Sequence, residues 1–241
     1  MIRLYQNTPL EAEQLVNLDK NPSHHLLRVL RAHKGTEVTL FNGDGYEYLA
    51  DLIDDSSRHC QLQIKEKIKV DNESPLKITL LQGISRGDRM DSCIQKSIEL
   101  GVDAIIPVHC QRTGTSLKGE RAEKKRQHWQ QITISACEQS GRCIIPEIRN
   151  ISSFEQAIQF GKTAGKLILE PGARQSFNSL SKPENEVYIL IGPEGGFTDE
   201  EIQQAKIKNY TSVSLGPRIL RTETAGPACI AIAQILWGDL G

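Results

Sequence analysis

Aromatic residues are scarce: five Tyr, five Phe and two Trp give 5% of 241 residues, too few for the serial base-stacking platforms of single-strand-binding proteins. Tyr46 and Tyr48 are the one obvious pair near a hairpin. Neither sign of charge dominates. Twenty-nine Lys and Arg face 30 Asp and Glu, a net of -1 with His neutral, so there is no global basic field for nucleic acid and no acidic solvating tail. Any anionic partner must be met by a local patch. The six cysteines (Cys60, Cys93, Cys110, Cys137, Cys143 and Cys229) form no C-x-x-C pair and have no His pair at metal spacing. That pattern argues against a zinc site or a disulfide framework, and they read as reduced cytosolic thiols with no metal. Long apolar runs are missing too. The longest uncharged stretch, Thr224 to Gly238, contains Gly226, Pro227 and Gln234 and falls short of the roughly 18–20 apolar residues of a membrane span. The opening MIRLYQNTPLEAEQL has no basic segment followed by an apolar run, so no secretory signal is expected and the chain is placed in the cytoplasm.

What is present is an ordinary globular composition, 38% hydrophobic and 24% charged, in a length that suits one large or two small domains at roughly 150 residues each. Period-two alternation marks strands at 37–41, 46–53 and 60–70, with turn chemistry in Asn42-Gly43-Asp44-Gly45, which predicts a small antiparallel barrel. One helix interrupts it: Pro22 and Ser23 precede HHLLRVLR, where Leu26, Leu27 and Leu30 share a face. Asp71-Asn72-Glu73-Ser74-Pro75 breaks the pattern, giving domains 1–72 and 73–241. Beyond it the rhythm becomes α/β, with strands at 77–84, 104–108, 144–148, 166–169, 187–191 and 211–215, the pattern of a mostly parallel sheet covered on both faces. Asp88 opens a helix that stops at Gly101, and a long one runs from about Glu120 to Gly141. Ser153 with Gln156 and Thr198 with Glu201 make capping boxes, the second with Phe197 stapled to Ile202.

The chemistry concentrates after three of these strands. VYILI runs into Gly192-Pro193-Glu194-Gly195-Gly196 and a capped helix, so that loop lies at the carboxyl edge of the sheet, where α/β proteins hold ligands. It matches neither G-x-x-x-x-G-K-[ST] nor G-x-G-x-x-G, so a phosphate cradle is not supported. Gly216-Pro217 follows a strand read as adjacent, and Glu170-Pro171-Gly172 ends a third. A pocket made of three such loops is mostly backbone and suits a neutral or cationic ligand better than a triphosphate. An isolated glycine-rich loop, by itself, is more often a tight strand-to-helix turn.

IGPEGGFTDEE and LGPRILRTETA, with SRGDRMDSCIQKSIELGV (Ser85 to Val102) and ACEQSGR (Ala136 to Arg142), resemble the 16S ribosomal RNA uridine-N3 methyltransferases, the RsmE group of the SPOUT class. The resemblance spans essentially the whole chain, with HHLLRVLR in the PUA-like part. It implies a PUA-like β-barrel followed by a SPOUT α/β domain with a trefoil knot, S-adenosyl-L-methionine as cofactor, and a homodimer. By the same resemblance the cofactor contacts are Leu169, Ile191, Gly192, Gly196, Leu215, Gly216 and Leu220. One departure stands out. Gly226-Pro227 replaces helix formers after RTETA, and a proline in the first helical turn with a slightly shifted start is the expectation.

Uracil N3 carries a proton and faces the partner base in a duplex, so the target must be single-stranded or flipped. Arg221 is the candidate to hold charge on a uracil carbonyl, and Glu223 to orient Arg221 or accept the proton. For RNA of the small ribosomal subunit, the stretch 112–126 holds six basic residues against Glu120 and Glu123, and Arg112, Lys118, Lys124 and Lys125 are candidates within it. Arg86, Arg89, Arg28 and Arg31 are others, each alone as readily a solvated surface charge. The last helix, with Ile230, Ile232, Ile235, Leu236 and Trp237, offers apolar surface for a dimer. A ribosome-assembly factor that keeps the pocket, or a methyltransferase of this fold acting at another RNA site, are the competing readings.

Overall fold

The computed structural model describes residues 2–56, 59–114, 117–162 and 164–241. The chain forms two compact units: one of residues up to Glu73 together with Cys137–Ile145, the other of Ser74–Ala136 with Pro146–Gly241.

In the first unit the three strands expected from alternation are β3 (Glu37–Phe41), β4 (Tyr46–Ser56) and β5 (His59–Lys69). Two shorter ones, β1 (Ile2–Tyr5) and β2 (Leu15–Asn17), are too brief to show a period and escape sequence reading. The ladder runs β1-β3-β4-β5-β2. Contrary to the antiparallel expectation, β1 lies parallel to β3, which it joins after the chain has passed through β2 and helix α1 (Lys20–His24). Pro22 sits in the first turn of α1, where its missing N–H costs nothing. A π-turn over His25–Val29 continues the helix. It buries Leu26 and packs Leu27 on the core, but Leu30 is 42% exposed, since wider winding rotates it off the shared face. Leu4, Val38, Leu40, Leu52, Leu62 and Ile64 fill the interior.

A boundary at Asp71–Pro75 puts residues 137–145 in the second domain, yet they are fastened to the first unit. Arg3 Nη1 donates to the Cys137 carbonyl at 2.9 Å, the Tyr5 amide to Glu138 Oε1 at 3.0 Å, and Asn72 Nδ2 to the Gly141 carbonyl at 2.8 Å. Arg142, 5% exposed, is paired with Glu73.

The second unit is an eight-stranded parallel sheet: β6 (Lys77–Gly83), β7 (Ala104–His109), β8 (Glu147–Ile148), β9 (Ser152–Ser153), β10 (Gly165–Leu169), β11 (Gln175–Ser176), β12 (Glu186–Ile191) and β13 (Thr211–Ser214). The strand expected at 144–148 shrinks to two residues, because Pro146 has no N–H for a ladder and the residues before it belong to the other unit. The order β11-β13-β10-β12-β6-β7-β8 corrects another expectation: the two Gly-Pro loops do not end adjacent strands, since β10 lies between β12 and β13.

Successive side chains of β6 go to opposite faces. Leu81 joins Ile106, Ile168 and Leu190 under Phe154 of α4 (Phe154–Ala157) and Ala205 of α5 (Asp199–Ile207). Leu80 turns the other way, toward Gly226 of α6 (Thr222–Trp237), which packs on α2 (Asp88–Glu99). Both capping boxes form, at Ser153 and Thr198, and the long helix α3 spans Gly119–Ser140. In α6, Ile230 and Trp237 are buried in the core; Ile235 and Leu236 are the exposed pair.

Candidate active site

Because β13, β10 and β12 are parallel neighbours, the loops that follow them emerge at one rim. There they wall a cavity of about 460 Å³. Leu169, Glu170 and Pro171 come from the first loop, Ile191 to Glu194, Gly196 and Phe197 from the second, and Ile219 to Glu223 from the third. Apolar side chains and glycine backbone make most of the wall, and Arg89, Arg112 and Arg221 balance Glu170, Glu194 and Glu223 around it.

Close packing behind the wall fixes the loops. A Cβ on Gly83, at the end of β6, would lie 2.4 Å from the Pro193 nitrogen, so only glycine lets that strand approach the loop. Thr222 Oγ1 donates to the Gly192 carbonyl at 2.7 Å and accepts from Gln82 Nε2 at 2.8 Å. Cys93 Sγ donates in turn to Gln82 Oε1 at 3.3 Å. Burial pushes the Cys93 thiol up to about 12, so this sulfur is a donor in the network and no nucleophile. Gly226 completes the fit, for a Cβ there would meet Gln82 Oε1 at 3.0 Å and Cys93 Sγ at 3.2 Å.

Pro227 is not in the first turn, and the helix start is not displaced toward it. The helix opens at Thr222, which puts Pro227 in the second turn. Its missing N–H deprives the Glu223 carbonyl of a helical donor.

Three arginines hold the glycine loop, two by their guanidinium groups and one by its backbone amide. Arg112 Nη1 donates to the carbonyls of Gly195 and Phe197, both at 3.1 Å. The Arg86 amide donates to Glu194 Oε1 at 2.8 Å, while its guanidinium turns to the Gly114 carbonyl. Arg89 Nη1 reaches the same Glu194 oxygen at 3.1 Å. Burial alone would raise the Glu194 carboxyl, but the Arg86 amide and the Arg89 guanidinium outweigh it and hold the group below its ordinary range. Arg89 Nε also stands 4.0 Å from Glu223 Oε1. Glu223 Oε2 is buried without a hydrogen-bond partner.

Two comparisons carry the family. A family described as an RNA methyltransferase domain matches residues 72–234, and one described as an RNA methyltransferase PUA domain matches 18–65. Ribosomal RNA small subunit methyltransferase E of Buchnera aphidicola is 37% identical, covering 99% of this chain and 97% of its own. The chain belongs to the ribosomal RNA small subunit methyltransferase E family. Among solved structures, the Neisseria gonorrhoeae methyltransferase E bound to S-adenosyl methionine is 42% identical with a TM-score of 0.94, covering 100% of both chains. A methyltransferase from Legionella pneumophila in complex with the same cofactor is 40% identical with a TM-score of 0.96, covering 99% of each. The first unit is accordingly PUA-like and the second a methyltransferase domain.

Within this family member, Leu169, Ile191, Gly192, Gly196, Leu220, Arg221 and Glu223 all line the cavity. Leu215 and Gly216 do not: Gly216, Pro217 and Arg218 turn to solvent, and the third loop joins the wall only at Ile219. Arg221 is exposed, and its guanidinium makes no hydrogen bond or ion pair with a described residue; the partner of Glu223 is Arg89, not Arg221.

The basic residues separate. Lys118 lines a second cavity beside His109 and Gln111. Lys124 pairs with Glu120 at 2.7 Å, and Lys125 with Asp91 at 3.2 Å. Arg28 and Arg31 are exposed in the PUA-like unit. The loop-binding roles of Arg89 and Arg112 and the buried Gln82-Thr222 link were missed. Their partners lie 83 to 140 residues away, and no local pattern announces them.

Proposed function

We propose that this chain methylates N3 of a uridine in 16S ribosomal RNA, using S-adenosyl-L-methionine. The observation that carries the reading is the cavity at the rim of β10, β12 and β13, in a chain alike over its whole length to a relative bound to that cofactor. The cavity fits such a group. Its volume is within the roughly 300–1,000 Å³ of small-molecule sites, and its wall is apolar with a balanced set of charges.

Leu169, Ile191 and Leu220 would pack on the cofactor's flat base while backbone groups of the three loops read its edges. When bound, S-adenosyl-L-methionine supplies a methyl group already activated on a sulfonium. The chain therefore has to align the acceptor and remove its proton. Arg221, with a free guanidinium at the cavity edge, holds the negative charge that grows on a uracil carbonyl oxygen. Glu223, which lines the same cavity, takes the N3 proton on its carboxylate.

A trefoil knot and a homodimer belong to the same reading. Support for the first is the strand order, in which β13 lies between β10 and β11 although it follows both, with α6 then returning onto α2 and β6. Support for the second is the exposed Ile235, Leu236 and Leu240. No described helix is long and apolar enough to cross a membrane, and a cytoplasmic place suits a ribosomal RNA substrate.

Cofactor at 100 times its Kd should stabilise the fold by about 2.7 kcal/mol, raising Tm by about 5–10 °C in a protein of this size. Mass spectrometry of small-subunit RNA from cells with and without the gene should show loss of one methylated uridine; an unchanged methylation map sinks the proposal.

A further inference from the structure

We infer that Arg89 is a positioning residue for methyl transfer, one that ties the glycine loop at Glu194 to the carboxylate of Glu223, and not a phosphate contact. The inference rests on the function proposed above. Arg89 stands in the first turn of α2 and lines the cavity. Its fork faces two carboxylates, one on the glycine loop and one in the first turn of α6: Nη1 lies 3.1 Å from Glu194 Oε1, and Nε 4.0 Å from Glu223 Oε1.

The charge of Arg89 is already shared between two carboxylates, which leaves it little to offer a phosphate. A planar fork spans two acceptors at fixed separation; an ammonium, a point charge on a flexible stem, does not. Arg89 faces the Oε1 side of Glu223, while Oε2 is buried with no hydrogen-bond partner among the described residues. Glu194 Oε1 is anchored a second time by the Arg86 amide, which fixes the loop end of the tie.

The test compares wild type with Arg89→Ala, Arg89→Lys and Glu194→Gln in three measurements: turnover at saturating RNA and cofactor, salt dependence of RNA binding, and amide hydrogen exchange over residues 192–197. For Arg89→Ala, kcat should fall about 10- to 100-fold, the range for a displaced catalytic group. Exchange over 192–197 should quicken, and the salt slope should stay at the wild-type value. Arg89→Lys should restore only part of the turnover. A slope reduced by about 1 with kcat intact makes Arg89 a phosphate contact, and unchanged exchange or unchanged kcat removes the tie; each overturns the inference. If Arg89→Ala does not fold, Glu194→Gln, which keeps Arg89 and Glu223, should show faster exchange and lower kcat. Should the wild type methylate no RNA at all, the function proposed above fails, while exchange and salt slope still judge the tie.

Discussion

The rim loops and the basic stretch 112–126 make opposite use of sequence proximity. Three loops separated in sequence by whole strands and helices converge on one cavity, because each follows a strand of the same parallel set and is delivered to the same edge. Six basic residues packed into fifteen positions disperse instead. Arg112 holds loop carbonyls, Lys124 and Arg126 pair within their own helix, Lys125 joins Asp91, and Lys118 faces another cavity. Topological equivalence gathers function here, and local charge density does not.

The comparison breaks first at the cavity. Arg221→Ala should lower methyl transfer by about 100-fold or more, the scale for removing a charge-stabilising donor, while calorimetry finds cofactor affinity within a few-fold of wild type. Unchanged turnover would remove Arg221 from the chemistry. Next in size is Gly83→Ala. Its Cβ would lie 2.4 Å from the Pro193 nitrogen, so the loop must shift; we expect about 1–3 kcal/mol of lost stability by denaturant titration, the usual cost of overpacking, together with weaker cofactor binding. Smallest is the charge arm. Lys124→Ala, already neutralised by Glu120, should leave the salt slope of RNA binding nearly untouched, whereas Arg28→Ala with Arg31→Ala should lower it by up to about 2. Equal slopes for the two variants would erase the distinction.

Much of this arrangement is legible from residues alone. Strand alternation, the Ser153 and Thr198 boxes and the glycine-proline punctuation are local signals, and the structure realises each of them where its physics is local. Departures occur where a partner far along the chain decides. Leu30 follows a π-turn that periodicity at 3.6 residues does not describe. Two-residue β8, β9 and β11 exist only through their neighbours. Pro227 is tolerated in a second turn because helix α6 is held by Thr222, Gly226 and a buried core instead of by its own backbone bonds alone.

The PUA-like unit is assembled from two stretches separated by more than sixty residues, with Arg142 locked to Glu73 and Arg3 to the carbonyl of Cys137. During synthesis, then, the N-terminal β-structure must wait for Ile145 to leave the ribosome before its last layer is in place. A fragment cut after Glu73 would be an unfinished body with bare charges, and the shortest piece able to mature by itself has to carry that distant segment, grafted or supplied in trans.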